Sequence, residues 1–266
     1  MRRRVRMIRR AIESLRRQDW MAVAVELVVV VVGVFVGVQA SNWNAELETD
    51  ARARDFTERL RSDLREEAWA YELQVSYYSQ VHDNAVRAAD ALEGYAPISD
   101  EAMLIALYRA TQYNGNVRRR ATYDELTSTG EIGLIRDPAL RELAMRTFTS
   151  EMFTEVVTKA RNSRYRTRFR MVVPHDVQHA LAATCGDQLT PVGDYSAIAH
   201  ALDYSCSTGL PAAAIAKSAV IARNDPELLA LLRLRIADLE TDLANLTVFY
   251  KADLRTPLQT LAKESP

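Results

Sequence analysis

The sequence predicts an all-α protein: one transmembrane helix continuing into a long stalk helix, then an exported antiparallel helical bundle. Three observations carry this. Residues Met21 to Ala40 are almost wholly apolar. Glycine (9) and proline (8) are scarce, together about 6% of the chain against a usual share of about 12%. Beyond the apolar run, apolar residues recur in threes and fours over long stretches, the period of a helix with one buried face. At 266 residues the chain is also long enough to bury a core. The expected organisation is a cytoplasmic basic tail (1–20), a transmembrane helix (21–40), a helical stalk (41–95) and an exported helical domain (96–266).

A net charge of −1 conceals a local asymmetry. Arg2, Arg3, Arg4, Arg6, Arg9, Arg10, Arg16 and Arg17 precede the apolar run, whereas only Arg52, Arg54 and Arg59 follow it within a similar distance. The basic flank stays in the cytoplasm, so residues after about 41 are expected on the exported side of a bacterial inner membrane. Within the tail, Val5, Ile8, Ile12 and Leu15 fall at helical spacing opposite the arginines. That pattern suits a helix lying on an anionic bilayer surface, and equally a basic tail acting only as a topology signal.

The run itself is about 20 residues, enough at about 1.5 Å each to cross a hydrocarbon core of about 30 Å. Trp20 and Trp43 stand just outside its ends, where indoles favour the headgroup region. The rival reading is a cleaved signal peptide, with Val38-Gln39-Ala40 before Ser41 as the cleavage site. The length of the run and Glu26 within it favour a retained anchor. Glu26, Gly33, Gly37 and Asn44 recur at seven, four and seven residues and so share one helix face. Gly33 and Gly37 form a small-xxx-small pair, which lets two helices approach closely. A homodimer seam is the expectation, against a lone span whose Glu26 faces the headgroups.

After Ser41 no proline or glycine occurs until Gly94, and Leu60, Leu64, Tyr71, Val75, Tyr78, His82 and Ala85 alternate in threes and fours. The stalk is either a coiled coil or part of a mixed bundle. Thr122-Tyr123-Asp124-Glu125 reads as a capping box opening a short helix that Gly130 stops. Asp137-Pro138 opens the next, an N-cap followed by proline at the first helical position, running to about Val172 and ended by Pro174. Arg164, Arg166, Arg168 and Arg170 alternate with Tyr165, Thr167, Phe169 and Met171, a pattern that also fits a strand. Tyr165, Phe169 and Val172 fit a helix, and no partner strand is visible, so helix is preferred. Asp225-Pro226-Glu227 repeats the start signal, and Leu228, Leu232, Ile236, Leu239, Leu243, Leu246 and Tyr250 trace one stripe along the last long helix. Residues 183–211 form the main irregular segment. It holds both cysteines, Cys185 and Cys206, which an oxidising compartment would pair.

Several of these residues resemble a known family. Val32-Gly33 to Gly37-Val38-Gln39, then Asn42-Trp43-Asn44 and Glu46, is similar to the signature of a bacterial single-pass membrane family known only as a domain of unknown function. Here Ala45 separates Asn44 from the acid. Thr122 to Leu126, through Gly130 to Leu134-Ile135-Arg136-Asp137, resembles that family's second motif. The resemblance implies an anchor and a helical export domain, and supplies no activity and no catalytic residue.

Candidate chemistry is sparse. His175 and His179 lie at i and i+4 and could hold a metal only if His200 or Asp203 folded back as a third ligand. Arg118, Arg119 and Arg120, beside Tyr113 and Tyr123, could take an anion such as a phosphate or a lipid headgroup. No Ser-His-Asp order, phosphate-cradling glycine loop or nucleotide fingerprint occurs, so neither catalytic residues, a resident metal nor a cofactor is expected. An exported arginine cluster also argues against nucleic acid. The expected partners are the bilayer, a second copy through the span, and an unidentified envelope protein. Two functional classes follow. One is a membrane-anchored interaction or scaffold protein; the other is an envelope sensory or ligand-binding module working through a membrane partner.

Overall fold

Helix α1, Trp20–Glu93, runs unbroken for 74 residues. No proline falls within it, and it ends where Gly94 takes φ +82°, a left-handed geometry that only a residue lacking Cβ adopts without strain. The structure, a computed structural model, describes residues 20–115 and 118–264. The basic tail, with the surface helix read from Val5, Ile8, Ile12 and Leu15, lies outside them. All regular structure among the described residues is helical, without strands. The chain divides into two compact units, the first ending at Asp55 and the second beginning at Phe56.

In the first unit, the apolar side chains of α1 are exposed on every face. Six consecutive residues, Leu27 to Val32, are each 53–64% exposed, and six in a row cover the whole circumference. A core helix of a soluble protein buries such residues, whereas none of this run is buried. The helix is long and apolar enough to cross a membrane.

In the second unit the same helix is a core element. Leu60, Leu64, Tyr71, Tyr78 and Ala85 are fully buried within the chain, so the seam that also suited a coiled coil belongs to a bundle. Helix α2, Asp100–Arg109, is capped by Ser99, whose hydroxyl accepts from the Ala102 N–H at 3.2 Å. Helix α3, Ala121–Ser128, departs from the expected capping box. Its cap position is Arg120 with no side-chain cap. Asp63 of α1 accepts from the Thr122 N–H at 3.3 Å, and Glu125 instead takes Arg59 at 2.6 Å. A carboxylate on a neighbouring helix has replaced the local cap. Gly130 closes this helix with φ +73°.

Helix α4, Pro138–Thr149, starts as the sequence indicates. The Asp137 carboxylate accepts from the N–H groups of Ala139 (2.9 Å) and Leu140 (3.3 Å), with proline at the first position. Asp137→Ala is expected to destabilise the unit by about 1 kcal/mol, read as a lowered thermal midpoint; an unchanged midpoint would remove the cap from the account.

The single helix expected to run on to Val172 is three. Helix α5, Met152–Arg161, and helix α6, Arg164–Val172, follow breaks at Ser150 and at Asn162-Ser163. At the first break the Arg118 guanidinium takes the carbonyls of Thr147 (2.8 Å) and Ser150 (3.2 Å), so the end of α4 is satisfied without continuation. At the second, asparagine and serine are weak helix formers, and Ser163 is extended. The 164–171 segment is helical, with Tyr165 and Phe169 buried.

Pro174 separates α6 from helix α7, His175–Cys185. A mostly irregular segment with one 3₁₀ turn, Ala197–His200, leads to helices α8, Ala212–Asn224, and α9, Leu228–Ala244. Asp225 receives the Leu228 N–H at 2.8 Å, the expected start signal. Two wide turns follow α9, Asn245–Phe249 and Lys251–Arg255, in which Tyr250 N–H reaches Asn245 O (3.0 Å) and Arg255 N–H reaches Tyr250 O (3.1 Å), five residues back rather than four. Helix α10, Thr256–Lys263, completes the described chain. The apolar stripe therefore runs through Leu246 to Leu254, Leu258 and Leu261, and Tyr250 is turned outward.

The core consists of two clusters, and α1 serves both. Leu60, Leu64 and Tyr71 pack with residues of α3, α4, α5 and α10. Leu73, Tyr77 and Val81 pack with residues of α2, α6, α7, α8 and α9.

Candidate functional site

The helix period places Glu26, Gly33, Gly37 and Asn44 along one face of α1. A Cβ built at Gly33 or Gly37 would meet nothing within 4 Å, so both positions are open to a close neighbour. Asn44 donates to Glu48 at 3.0 Å, and Trp20 and Trp43 are exposed.

In the arginine triplet, read from the sequence as a possible anion site, each guanidinium is paired with an acid of its own chain. Arg118 donates to Glu67 at 2.9 Å with an ion-pair contact at 2.8 Å, and the Arg119 N–H adds a second hydrogen bond to the same carboxylate at 3.0 Å. Arg118 also lies over the rings of Phe148 (5.7 Å) and Phe153 (5.2 Å). Arg119 pairs with Glu66 and Arg120 with Asp124. Three neighbours in sequence thus serve three different acids.

Cys185 and Cys206 are joined in a disulfide with 5.5 Å between their Cα atoms. Arg109, almost fully buried, braces the closed loop. It donates to the carbonyls of Cys185 (3.3 Å) and Tyr204 (2.9 Å) and lies 4.6 Å from the Tyr204 ring centre.

His175 and His179 sit on one face of α7 with ring centres 6.4 Å apart. Among the described residues no three His, Cys, Asp or Glu side chains come together to hold a metal. The third ligand that the spacing would need is not supplied by His200, which faces the Asp203 carbonyl at 3.5 Å. The histidines instead face α6 across a cleft of about 480 Å³ lined by Arg166, Arg170, His175, His179, Tyr108 and Phe169, among others. Arg166 is half-buried, donates to the Thr111 carbonyl at 3.0 Å, and lies 4.9 Å from the Tyr113 ring centre. Burial, and next the charge of Arg170, hold its guanidinium below the usual arginine range. Spacing along the chain does not show that these residues share a cleft; the sequence marks it only by Arg166 with Arg170 and His175 with His179, each at i and i+4, on either side of Pro174.

No family model, curated protein or solved structure matches this chain.

The remaining buried charges hold the bundle together. Arg235 and Asp242, each 2% exposed, lie on α9. Arg235 donates to the Gln112 carbonyl at 3.3 Å, and Asp242 receives Lys159 at 3.3 Å. Burial raises the Asp242 carboxyl above its usual value, opposed by the Lys159 charge, and lowers Arg235.

Proposed function

We propose that the chain is a membrane-anchored helical protein of the bacterial cell envelope that acts by interaction, associating with itself through α1. In this reading the basic tail is cytoplasmic and residues from about 41 onward are exported. The observation that carries it is the belt of exposed apolar side chains around α1, with open space at Gly33 and Gly37 on one face. The arginine asymmetry supports the orientation, and the Cys185–Cys206 disulfide suits an oxidising compartment. The resemblance of the Asn-Trp-Asn block to a single-pass membrane family points the same way.

In bacterial membranes, chemical crosslinking of the full chain is expected to give a dimer band. Gly33→Leu with Gly37→Leu is expected to reduce it to background while the protein stays in the membrane fraction. A wild-type chain that remains monomeric under crosslinking would sink the reading. Intact mass of the membrane-extracted protein should match the uncleaved sequence; loss of residues up to Ala40 would replace the anchor by a signal peptide.

A second reading, an envelope ligand-binding module, is favoured by one specific observation, the cationic cleft between α6 and α7.

A further inference from the structure

We propose that the cleft between α6 and α7 binds the phosphate group of a small phosphate ester, through Arg166 and Arg170 on one wall and His175 and His179 on the other. The inference gives the ligand-binding reading a chemical class and does not depend on self-association through α1.

Several other guanidiniums of the bundle are paired with acids. On α6 itself, Arg168 makes a two-pronged pair with Asp225 at 2.7 and 3.1 Å. Arg118, Arg223, Arg233 and Arg255 each pair with a carboxylate at 2.5–2.8 Å. Among the described residues no carboxylate lies within 4.0 Å of Arg166, Arg170, His175 or His179, and none lines the cleft. Asp187, whose carboxyl feels the Arg166 charge, accepts from the Tyr77 hydroxyl at 2.8 Å.

Like charges at i and i+4 on a helix repel. Here one such pair, Arg166 and Arg170, faces two imidazoles with no acid in the lining, an arrangement that an anion would relieve. Arg166 spends one donor on Thr111, which fixes its guanidinium and leaves further N–H groups for a ligand. Gln178 holds the two walls in register, its amide donating to the carbonyls of Arg170 (3.0 Å) and Val173 (2.6 Å). The N-terminus of α7, with no side-chain cap, lies at the same cleft. Guanidinium forks match the oxygens of phosphate. About 480 Å³ exceeds what one phosphate fills, and the Tyr108 and Phe169 rings in the lining leave room for an organic body.

The test uses the full chain in neutral detergent micelles, with pyrophosphate and, separately, short-chain phosphatidylglycerol as probes. Sodium chloride at matched ionic strength and short-chain phosphatidylcholine are the controls. Saturable binding by calorimetry is expected for at least one phosphate probe. Arg170→Gln, an exposed position, is expected to weaken it about ten-fold, the loss of one charge-assisted contact, and Arg166→Gln by at least as much. Arg164→Gln, on the same helix outside the cleft, should leave it unchanged. Binding of pyrophosphate assigns a soluble phosphate group as the ligand's anchor, and binding of phosphatidylglycerol alone assigns a lipid headgroup. No saturable binding of either probe, or binding that Arg170→Gln and Arg164→Gln affect equally, overturns the site. The crosslinked dimer is read separately, so loss of one result leaves the other standing.

Discussion

Replacing Glu67 with alanine is expected to destabilise the helical unit by about 3–5 kcal/mol, because it leaves Arg118, whose side chain is only 19% exposed, without its counter-charge. Glu67 is 3% exposed and receives two hydrogen bonds, one from Arg118 and one from the Arg119 backbone, beside a further ion-pair contact with Arg118. Arg118 in turn holds the carbonyls that end α4 and lies over Phe148 and Phe153. Removing the acid therefore loosens α1, the approach to α3 and the α4–α5 junction together. In a unit of this size each kcal/mol moves the midpoint by about 2–4 °C, so circular dichroism of the full chain in detergent should show a fall of about 6–20 °C. Asp124→Asn breaks a pair whose partners are both half-exposed, 51% and 49%, and should cost under about 0.5 kcal/mol. Equal midpoints for the two variants would refute the central role given to Glu67.

Loss of the Cys185–Cys206 bond is the second large effect. The bridge spans 21 positions, and closing a loop of that size removes chain entropy worth about 3 kcal/mol from the unfolded state. Cys185→Ala with Cys206→Ala should lower the midpoint by about 6–12 °C, and reductant should do the same to the wild type while leaving the double variant unmoved. Arg109 keeps its bonds to Cys185 and Tyr204 either way, so the variant is expected to fold. A wild type whose thiols are shown to be free after reduction, yet whose melting is unaltered, would contradict this account.

The features legible in the sequence are those written locally. The apolar run of α1, its stop at Gly94, the Asp137-Pro138 start and the helical phase of Tyr165 and Phe169 each depend on residues within a few positions of one another. The features that were not legible depend on distant partners. The local cap at Thr122 lost to Asp63, some 59 positions away. Nothing near Ser150 announces that Arg118 will take its carbonyl. The triplet at 118–120 looks like one charged patch until three different acids divide it. The α6–α7 cleft was hidden for the same reason. Arg166 and Arg170 share one cleft with two imidazoles and no acid in its lining, and such an arrangement across the bundle cannot be read from spacing along the chain.

The two wide turns between α9 and α10 bear on which changes this region accepts. Each residue of an α-helix advances the side-chain direction by about 100°. Each wide turn already holds one residue more than an α-turn, so inserting a further residue ahead of Leu254 would turn the following segment by about that angle, swinging Leu254, Leu258 and Leu261 from the core toward water. Val248 and Phe249, already 65% and 71% exposed, can be exchanged for polar residues with little packing lost. The segment is thus permissive of spelling and intolerant of length, a spacer whose residue count keeps the carboxyl-terminal helix seated.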